Sequence, residues 1–350
     1  MSITAKTMGL GSLRIEEAYD PKSRRLRLQL RPHQLEKFEK FVNKQDTEEE
    51  EEVIVDLKQV PAEEIAKWEA AIELVERDRT VVNPELVVEE IELEVEEDVG
   101  RRRKVLVVRD DLLQTGSKQR ALVPMLRAHT ANEFLYAGPV YGFAQVALAH
   151  SARLAGTDKQ ATLFVAKNSR RHLLTAAAAR MGAKIVEVAH PALAEVQKAA
   201  EKYCEERRGD AGGASAWENL PFGLYSAEFV WMLKEQIQRA MPKELREKPP
   251  ERVWVVVGSG TLVSALQEVW PAATFMLVQV GKWLKEAMVK KVRHQVFVAP
   301  ETFMEPAKVP PPFPSARNYD AKMWQFLLKE AKDGDLVWNV ASDAESKFVD

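Results

Sequence analysis

From Val105 onward, short apolar runs alternate with small-residue loops and amphipathic stretches, and this alternation limits the fold more than any other feature of the chain. The apolar runs are residues 105–108, 133–137, 161–166, 184–188, 253–257, 274–280, 295–298 and 336–340. Between most of them lie stretches of about 10–18 residues with helical periodicity, a pattern that predicts an α/β fold with mostly parallel sheet covered on both faces. Ligands of such folds sit beyond the carboxyl ends of the strands, so the loops that follow the strands are where chemistry is to be sought.

The chain reads differently before Gly100. Residues 25–30 (RLRLQL) and 91–95 (IELEV) alternate apolar with charged or polar side chains, as half-buried antiparallel strands do. After Pro61, Ile65, Trp68, Ile72 and Val75 recur at helical spacing, and the acidic run Glu48 to Glu52 reads as an exposed loop. The expectation is a small α+β appendage over residues 1–100 with no catalytic motif. It is followed by a catalytic region over 101–350, in which a subdomain at roughly 130–200 is inserted into a larger one.

Composition excludes several classes. With 46% hydrophobic and 29% charged residues the chain is an ordinary globular one, and a net charge of −3 offers no overall attraction to nucleic acid or an anionic membrane. No apolar stretch approaches the roughly 20 residues of a membrane span, and the N-terminus lacks a signal-peptide layout, so a cytoplasmic protein without a membrane partner is expected. The single cysteine, Cys204, excludes an intramolecular disulfide and a Cys-rich metal site. It lies in a charged helical run with no histidine beside it, which argues against a nucleophile. The basic clusters Arg101–Lys104 and Lys290–Arg293 read as solvated surface, with phosphate contact as the alternative.

Three loops carry candidate chemistry. In the first (105–122, VLVVRDDLLQTGSKQRAL), a buried strand enters a Gly-containing turn and Lys118 stands near the start of a helix. The helix dipole and neighbouring Arg120 both disfavour a further positive charge there, which suits a lysine that loses its proton and attacks an aldehyde. Strand, two acids and Thr115-Gly116-Ser117 also resemble the loop that phosphoribosyltransferases use for their diphosphate substrate. In the second loop (253–266, VWVVVGSGTLVSAL), Gly258, Ser259, Gly260 and Thr261 either close backbone N–H groups on an anion at a helix N-terminus or simply make a tight strand-to-helix turn. Neither a Walker lysine nor the third glycine of a dinucleotide fingerprint is present. In the third (315–342), Tyr319 and Asp320 precede an amphipathic helix, where Asp320 on its own reads as a helix cap.

Taken together and in this order, the loops resemble fold-type-II (tryptophan-synthase-β-like) pyridoxal-phosphate enzymes, nearest the aminocyclopropane-carboxylate deaminase and D-cysteine desulfhydrase branch. Asp110, Asp111, Gly116, Ser117 and Lys118 stand where that branch has an acidic stretch, a turn and the lysine that carries the cofactor. Gly258 to Thr261 stand at its phosphate loop, and Tyr319, Asp320 and Lys322 at its Tyr-Glu pair and the lysine-containing helix beyond. Met181-Gly182-Ala183, ending a helix before a strand, extends the likeness, which covers about residues 105–342 and leaves the first hundred without a counterpart. It implies two α/β subdomains with pyridoxal 5'-phosphate between them, Lys118 as Schiff-base lysine and proton carrier, and Asp320 facing the pyridine nitrogen. Tyr319 is implied as acid, base or stacking partner, and the family habit is a homodimer.

One loop departs from the pattern. Where the family carries a Ser-Asn pair for the substrate carboxylate and the ring oxygen, this chain has Gly138-Pro139-Val140-Tyr141-Gly142-Phe143-Ala144-Gln145, so Tyr141 and Gln145 become the candidate substitutes. The last strand ends in Asn339-Val340-Ala341-Ser342 instead of a histidine followed by small residues. These departures point away from a common small amino acid. The resemblance then implies chemistry at the α-carbon of an amino-acid-like substrate, with decarboxylation of an aminoacyl-modified thymine in phage DNA as the specific expectation. A deaminase or β-eliminating lyase on a free amino acid is the alternative, and a binding or scaffold protein that lost catalysis is a third reading.

Overall fold

The computed structural model of the protein describes residues 19–20, 25–26, 55–94, 102–208, 217–281, 289, 292–343 and 347–348. The chain divides into two compact units, Met1–Ile54 and Val55–Asp350. In the first, β1 (Tyr19–Asp20) pairs antiparallel with β2 (Arg25–Leu26). The remainder of the strand expected at 25–30, and the acidic run at 48–52, lie outside the described residues.

The second unit holds two sheets. The larger has the strand order β11-β10-β9-β12-β4-β3, built from β3 (Val88–Glu94), β4 (Arg102–Arg109), β9 (Arg252–Val257), β10 (Thr274–Gln279), β11 (Arg293–Val298) and β12 (Leu336–Asn339). All its pairings are parallel except β3 with β4. The smaller sheet, β7-β6-β5-β8, is wholly parallel and consists of β5 (Glu133–Ala137), β6 (Gln160–Ala166), β7 (Lys184–Val188) and β8 (Trp217–Leu220). It therefore runs past the expected limit near residue 200. β8 (WENL) has two apolar residues in four and carries too little pattern to be read as a strand from sequence.

The boundary expected near Gly100 is corrected to Ile54/Val55. β3 pairs with β4 at seven positions, and its Leu93 packs with Val105 and Val107 in the core of the larger sheet. The alternation in 91–95 did mark an antiparallel strand, but its partner is β4, the first parallel strand of the larger sheet. Across that ladder Glu92 pairs with Arg102 at 2.8 Å and Glu90 with Lys104 at 2.6 Å, while Arg103 donates to the carbonyl of Ala331 at 2.8 Å. The basic cluster at 102–104 is thus committed to the sheet's own edge, in exposed ion pairs worth about 0–1 kcal/mol each.

Helix α1 (Ala62–Glu73) is also integral to this unit. Its buried Trp68 and Ile72 lie one turn apart on the face turned to the core, and Trp68 meets Trp231 with ring centroids 5.6 Å apart. Trp231 lies on α6 (Ala227–Ala240), whose first turn is capped by Ser226 Oγ accepting from the Phe229 N–H at 3.2 Å. Between them runs α2 (Lys118–Ala128), buried from Gln119 to Leu126. The remaining helices include α3 (Ala144–Ala155), α4 (Leu173–Arg180) and α5 (Leu193–Arg208) around the smaller sheet, and α7 (Thr261–Val269) and α8 (Trp324–Glu330) beside the larger one. Among the described residues no helix is long and apolar enough to cross a membrane.

If residues 55–94 are part of this core, Trp68→Ala should lower unfolding free energy by about 3–5 kcal/mol, the cost of deleting a buried aromatic. Urea unfolding followed by circular dichroism measures it, and a change under about 1 kcal/mol would mean that α1 is a dispensable attachment.

Candidate functional site

Strand β12 lies between β9 and β4, with Leu336 opposite both Val253 and Leu106 and Asn339 opposite Arg109. The carboxyl ends of these three strands are therefore neighbours, and the loops that leave them converge. The loop after β4 turns sharply at Gly116 (φ 71). A Cβ there would stand 2.3 Å from the Val340 carbonyl oxygen, so glycine is required by space as well as by φ. The Ser117 N–H then donates to that same carbonyl at 3.2 Å, and the Trp338 indole N–H donates to Ser117 Oγ at 2.9 Å. Pinned at these points, the loop delivers Lys118 to a cavity that it shares with Gly258, Ser259, Gly260, Thr261 and Tyr319. The cavity is narrow and partly open, with a volume of about 30 Å³.

The two acids of the first loop face arginines. Asp110 takes Arg120 at 2.6 Å, and Arg120 also donates to Asn83 Oδ1 and the Pro84 carbonyl. Asp111 takes Arg109 through two bonds of 2.8 Å and accepts from Asn339 Nδ2 at 2.7 Å. These buried pairs brace the loop, and among the described residues no group of three or more His, Cys, Asp or Glu side chains is placed to hold a metal ion. That is poor ground for the phosphoribosyltransferase reading, whose acids must face a ribose and its metal. Arg120 is also corrected as the cause of Lys118's lowered proton affinity, since its charge is neutralised by Asp110.

Burial is that cause. Desolvation holds the Lys118 ammonium below the ordinary lysine range, opposed by the charge of Asp320, and Lys118 Nζ makes no hydrogen bond to any described residue. Asp320 is 3% exposed; its Oδ2 accepts from the Ala341 N–H at 3.2 Å, while its Oδ1 is buried with no hydrogen-bond partner among the described residues. Desolvation pushes its carboxyl up to about 8, with the nearby carboxylate of Asp111 acting in the same direction. Beside it the Tyr319 phenol is driven upward by burial and by Asp320, so it stays protonated across the physiological range and acts as a donor. An amine that readily loses its proton and a carboxyl that readily keeps one thus stand within electrostatic reach of each other.

The glycine loop leads into α7, and its Gly260 is left-handed at the helix N-cap. The N–H groups of Ser259, Gly260, Thr261 and Leu262 find no acceptor among the described residues, which suits an anion. The hydroxyls point elsewhere: Thr261 Oγ1 donates to the Gly223 carbonyl at 2.8 Å and bonds Ser259 Oγ at 3.0 Å.

Of the sequence candidates, the structure brings Lys118, Gly258 to Thr261 and Tyr319 to one cavity and sets Asp320 beside Lys118. Tyr141 does not line the cavity. Its ring contacts Phe303 (5.1 Å) and His172 (6.4 Å), and Phe303 in turn meets Tyr319 at 6.1 Å. Gln145 is turned into its own loop, donating to the Val140 carbonyl at 2.6 Å with Oε1 buried, so it is corrected from substrate contact to loop brace. Sequence reading missed Phe303, Tyr136 and the Gly223 turn. Only Gly223, in the run Pro221-Phe222-Gly223, carried a turn signal.

No protein-family model matches the sequence, and no curated protein matches it. Solved structures do. An ACC deaminase homologue superposes with a TM-score of 0.61 at 15% identity, covering 75% of this chain and 90% of its own. The processed form of threonine deaminase isoform 2 from Solanum lycopersicum gives 0.55 at 11% identity, covering 83% and 88%. Diaminopropionate ammonia lyase from Escherichia coli in apo form gives 0.54 at 12% identity, covering 81% and 89%. The chain has the fold-type-II architecture of these enzymes, with its two parallel-sheet subdomains.

The charge state of Asp320 is open to test. With a folded pKa of about 8 against an ordinary 3.8, the folded state binds the extra proton between those values. Its contribution to stability is therefore full below the ordinary value and lost as pH rises through the folded one. Asp320→Asn should stabilise the protein more at pH 8 than at pH 5 in urea unfolding. An equal effect at both pH values would mean that the carboxyl ionises normally.

Proposed function

We propose that this chain is a pyridoxal-phosphate enzyme acting at the α-carbon of an amino-acid-like substrate, as a deaminase or eliminating lyase. The observation that carries this reading is the convergence of Lys118, whose amine burial inclines to the neutral form, with the open N–H groups of the glycine loop around one cavity. The donor set fits the cofactor. The N–H groups from Ser259 to Leu262 suit its phosphate, Lys118 Nζ its aldehyde, and the unpartnered Oδ1 of Asp320 its pyridine nitrogen. A ring-sized ligand needs more room than 30 Å³, so neighbouring side chains or loops must move aside for it.

The cofactor, when bound, supplies an aldehyde for the substrate's amino group and a ring that draws electrons from Cα. The protein's residues do the rest. Lys118 Nζ, whose proton affinity desolvation lowers, serves as nucleophile and as carrier of the Cα proton. Asp320 holds a proton at the buried end of the site. Tyr319, kept as a phenol, orients through its hydroxyl and does not act as a base. The ion pairs Asp110–Arg120 and Asp111–Arg109 keep the lysine loop in place.

Among the reactions of this chemistry, deamination and elimination are preferred because the fold neighbours include a threonine deaminase, an ammonia lyase and an ACC deaminase homologue. Decarboxylation of an aminoacyl-modified thymine in DNA requires a basic path for the phosphate backbone, and Arg102 to Lys104 are already committed to glutamates and carbonyls. A free amino acid is therefore the preferred substrate class, and a homodimer the assembly to look for by sedimentation.

Adding pyridoxal phosphate should produce an absorption band distinct from that of the free cofactor. Borohydride should fix the cofactor on the peptide that contains Lys118, as read by mass spectrometry, and Lys118→Ala should abolish both signals. With the cofactor loaded, release of ammonia and a keto acid from a panel of amino acids identifies the substrate. Absence of any band at saturating cofactor overturns the reading.

A further inference from the structure

The segment Pro221–Tyr225 leaves β8 of the smaller sheet and reaches the glycine loop of the larger one. Gly223 (φ 69) and Leu224 (φ 61) are consecutive left-handed residues, and Leu224 is the only non-glycine residue with positive φ among those described. Its side chain is 1% exposed, so packing holds a bulky residue in a backbone state that L side chains disfavour. A Cβ on Gly223 would stand 2.2 Å from Ser259 Cβ, which shows how closely the turn is pressed against the loop.

The hydrogen bonds at this contact have a definite direction. Thr261 Oγ1 has one hydrogen and gives it to the Gly223 carbonyl at 2.8 Å. Its 3.0 Å bond with Ser259 Oγ must then be donated by the serine. Both hydroxyl hydrogens of the loop are thus spent, in relay, on one carbonyl oxygen. The Gly223 N–H is tethered to the Tyr136 hydroxyl at 3.4 Å, and Pro221 at the start of the turn is exposed.

A carbonyl oxygen is the negative end of a dipole. Placed at a loop whose N–H groups have no acceptor among the described residues, it takes the hydroxyl donors that an anion there would use and would repel that anion. Ser259 and Thr261 can donate to an anion only if this carbonyl gives way, because it holds both hydroxyl hydrogens in relay. We propose that the Gly223 carbonyl is a placeholder in the phosphate site: an entering phosphate monoester displaces the Gly223–Leu224 turn, frees Ser259 and Thr261 to donate to the anion, and lets Leu224 leave the left-handed region. This rests on the reading of the glycine loop as a phosphate site. Because β8 leads directly into the turn, phosphate occupancy is coupled to the smaller subdomain.

Inorganic phosphate, titrated against the full chain and followed by ³¹P NMR line broadening, tests the placeholder without any need for lysine chemistry. Gly223→Ala pushes the turn off the loop, and Tyr136→Phe removes its tether, so each raises the population of the displaced turn. Each should bind phosphate at least about threefold more tightly than wild type, as follows when a larger fraction of the protein is competent to bind. Should Gly223→Ala fail to fold, Tyr136→Phe, which loses one hydroxyl, still makes the comparison. Phosphate binding by wild type with equal or weaker binding by the variants overturns the placeholder and leaves the cofactor reading intact. Absence of phosphate binding in every protein overturns both.

Discussion

The position of β12 between β4 and β9 is the constraint from which the rest of the site follows. A strand that arrives last in the chain must enter beside the first parallel strand of the sheet, and its far end then supplies the Val340 carbonyl against which Gly116 is pressed. The same strand end places the Ala341 N–H on Asp320 and the Asn339 amide on Asp111. Three loops spread over more than two hundred residues of the chain are thereby held to one point, and the lysine is aimed by backbone contacts that leave it little freedom. A site of this kind depends on long-range sheet pairing and is built only when the sheet is complete.

Burial then decides what these groups do. An amine and a carboxyl close together in water would both be charged, but inside the protein each is pushed toward its neutral form by the loss of solvation. The carboxylates that remain fully matched, Asp110 and Asp111, are those with an arginine in hydrogen-bond contact. The site thus holds two structural acids of the lysine loop in ion pairs and, from another loop, a third acid, Asp320, without an arginine partner. The difference between a brace and a reactive group lies in their partners and not in their residue type.

The two sheets meet through short segments that carry strained or close-packed residues. Leu224 in its left-handed turn, Phe303 between Tyr141 and Tyr319, and the glycine loop under Gly223 all belong to that contact. Strain of this sort persists when surrounding packing over-determines it, and it is common where a ligand must compete with the protein's own groups.

Much of this was legible in the sequence. The apolar runs from Val105 onward marked the strands of both sheets except β3 and β8; the central strands β5, β6, β9, β10 and β12 are apolar because both their faces are buried. Lys118, Gly258 to Thr261, Tyr319 and Asp320 were marked because they stand in loops at the carboxyl ends of such strands. What periodicity cannot carry is the identity of a strand's partner, and so the domain boundary at Gly100 was misplaced: β3 declares itself antiparallel but not that it pairs with β4. Nor can sequence spacing say which way a polar side chain turns. Gln145 faces inward, Arg120 faces Asp110, and Thr261 faces Gly223 because the nearest unsatisfied group in space, often far away in the chain, takes the hydrogen bond. Local pattern determined the elements and the residue types available to the site. Tertiary packing decided their partners and their charges, since desolvation and hydrogen bonding depend on what lies within a few ångströms once the chain has folded.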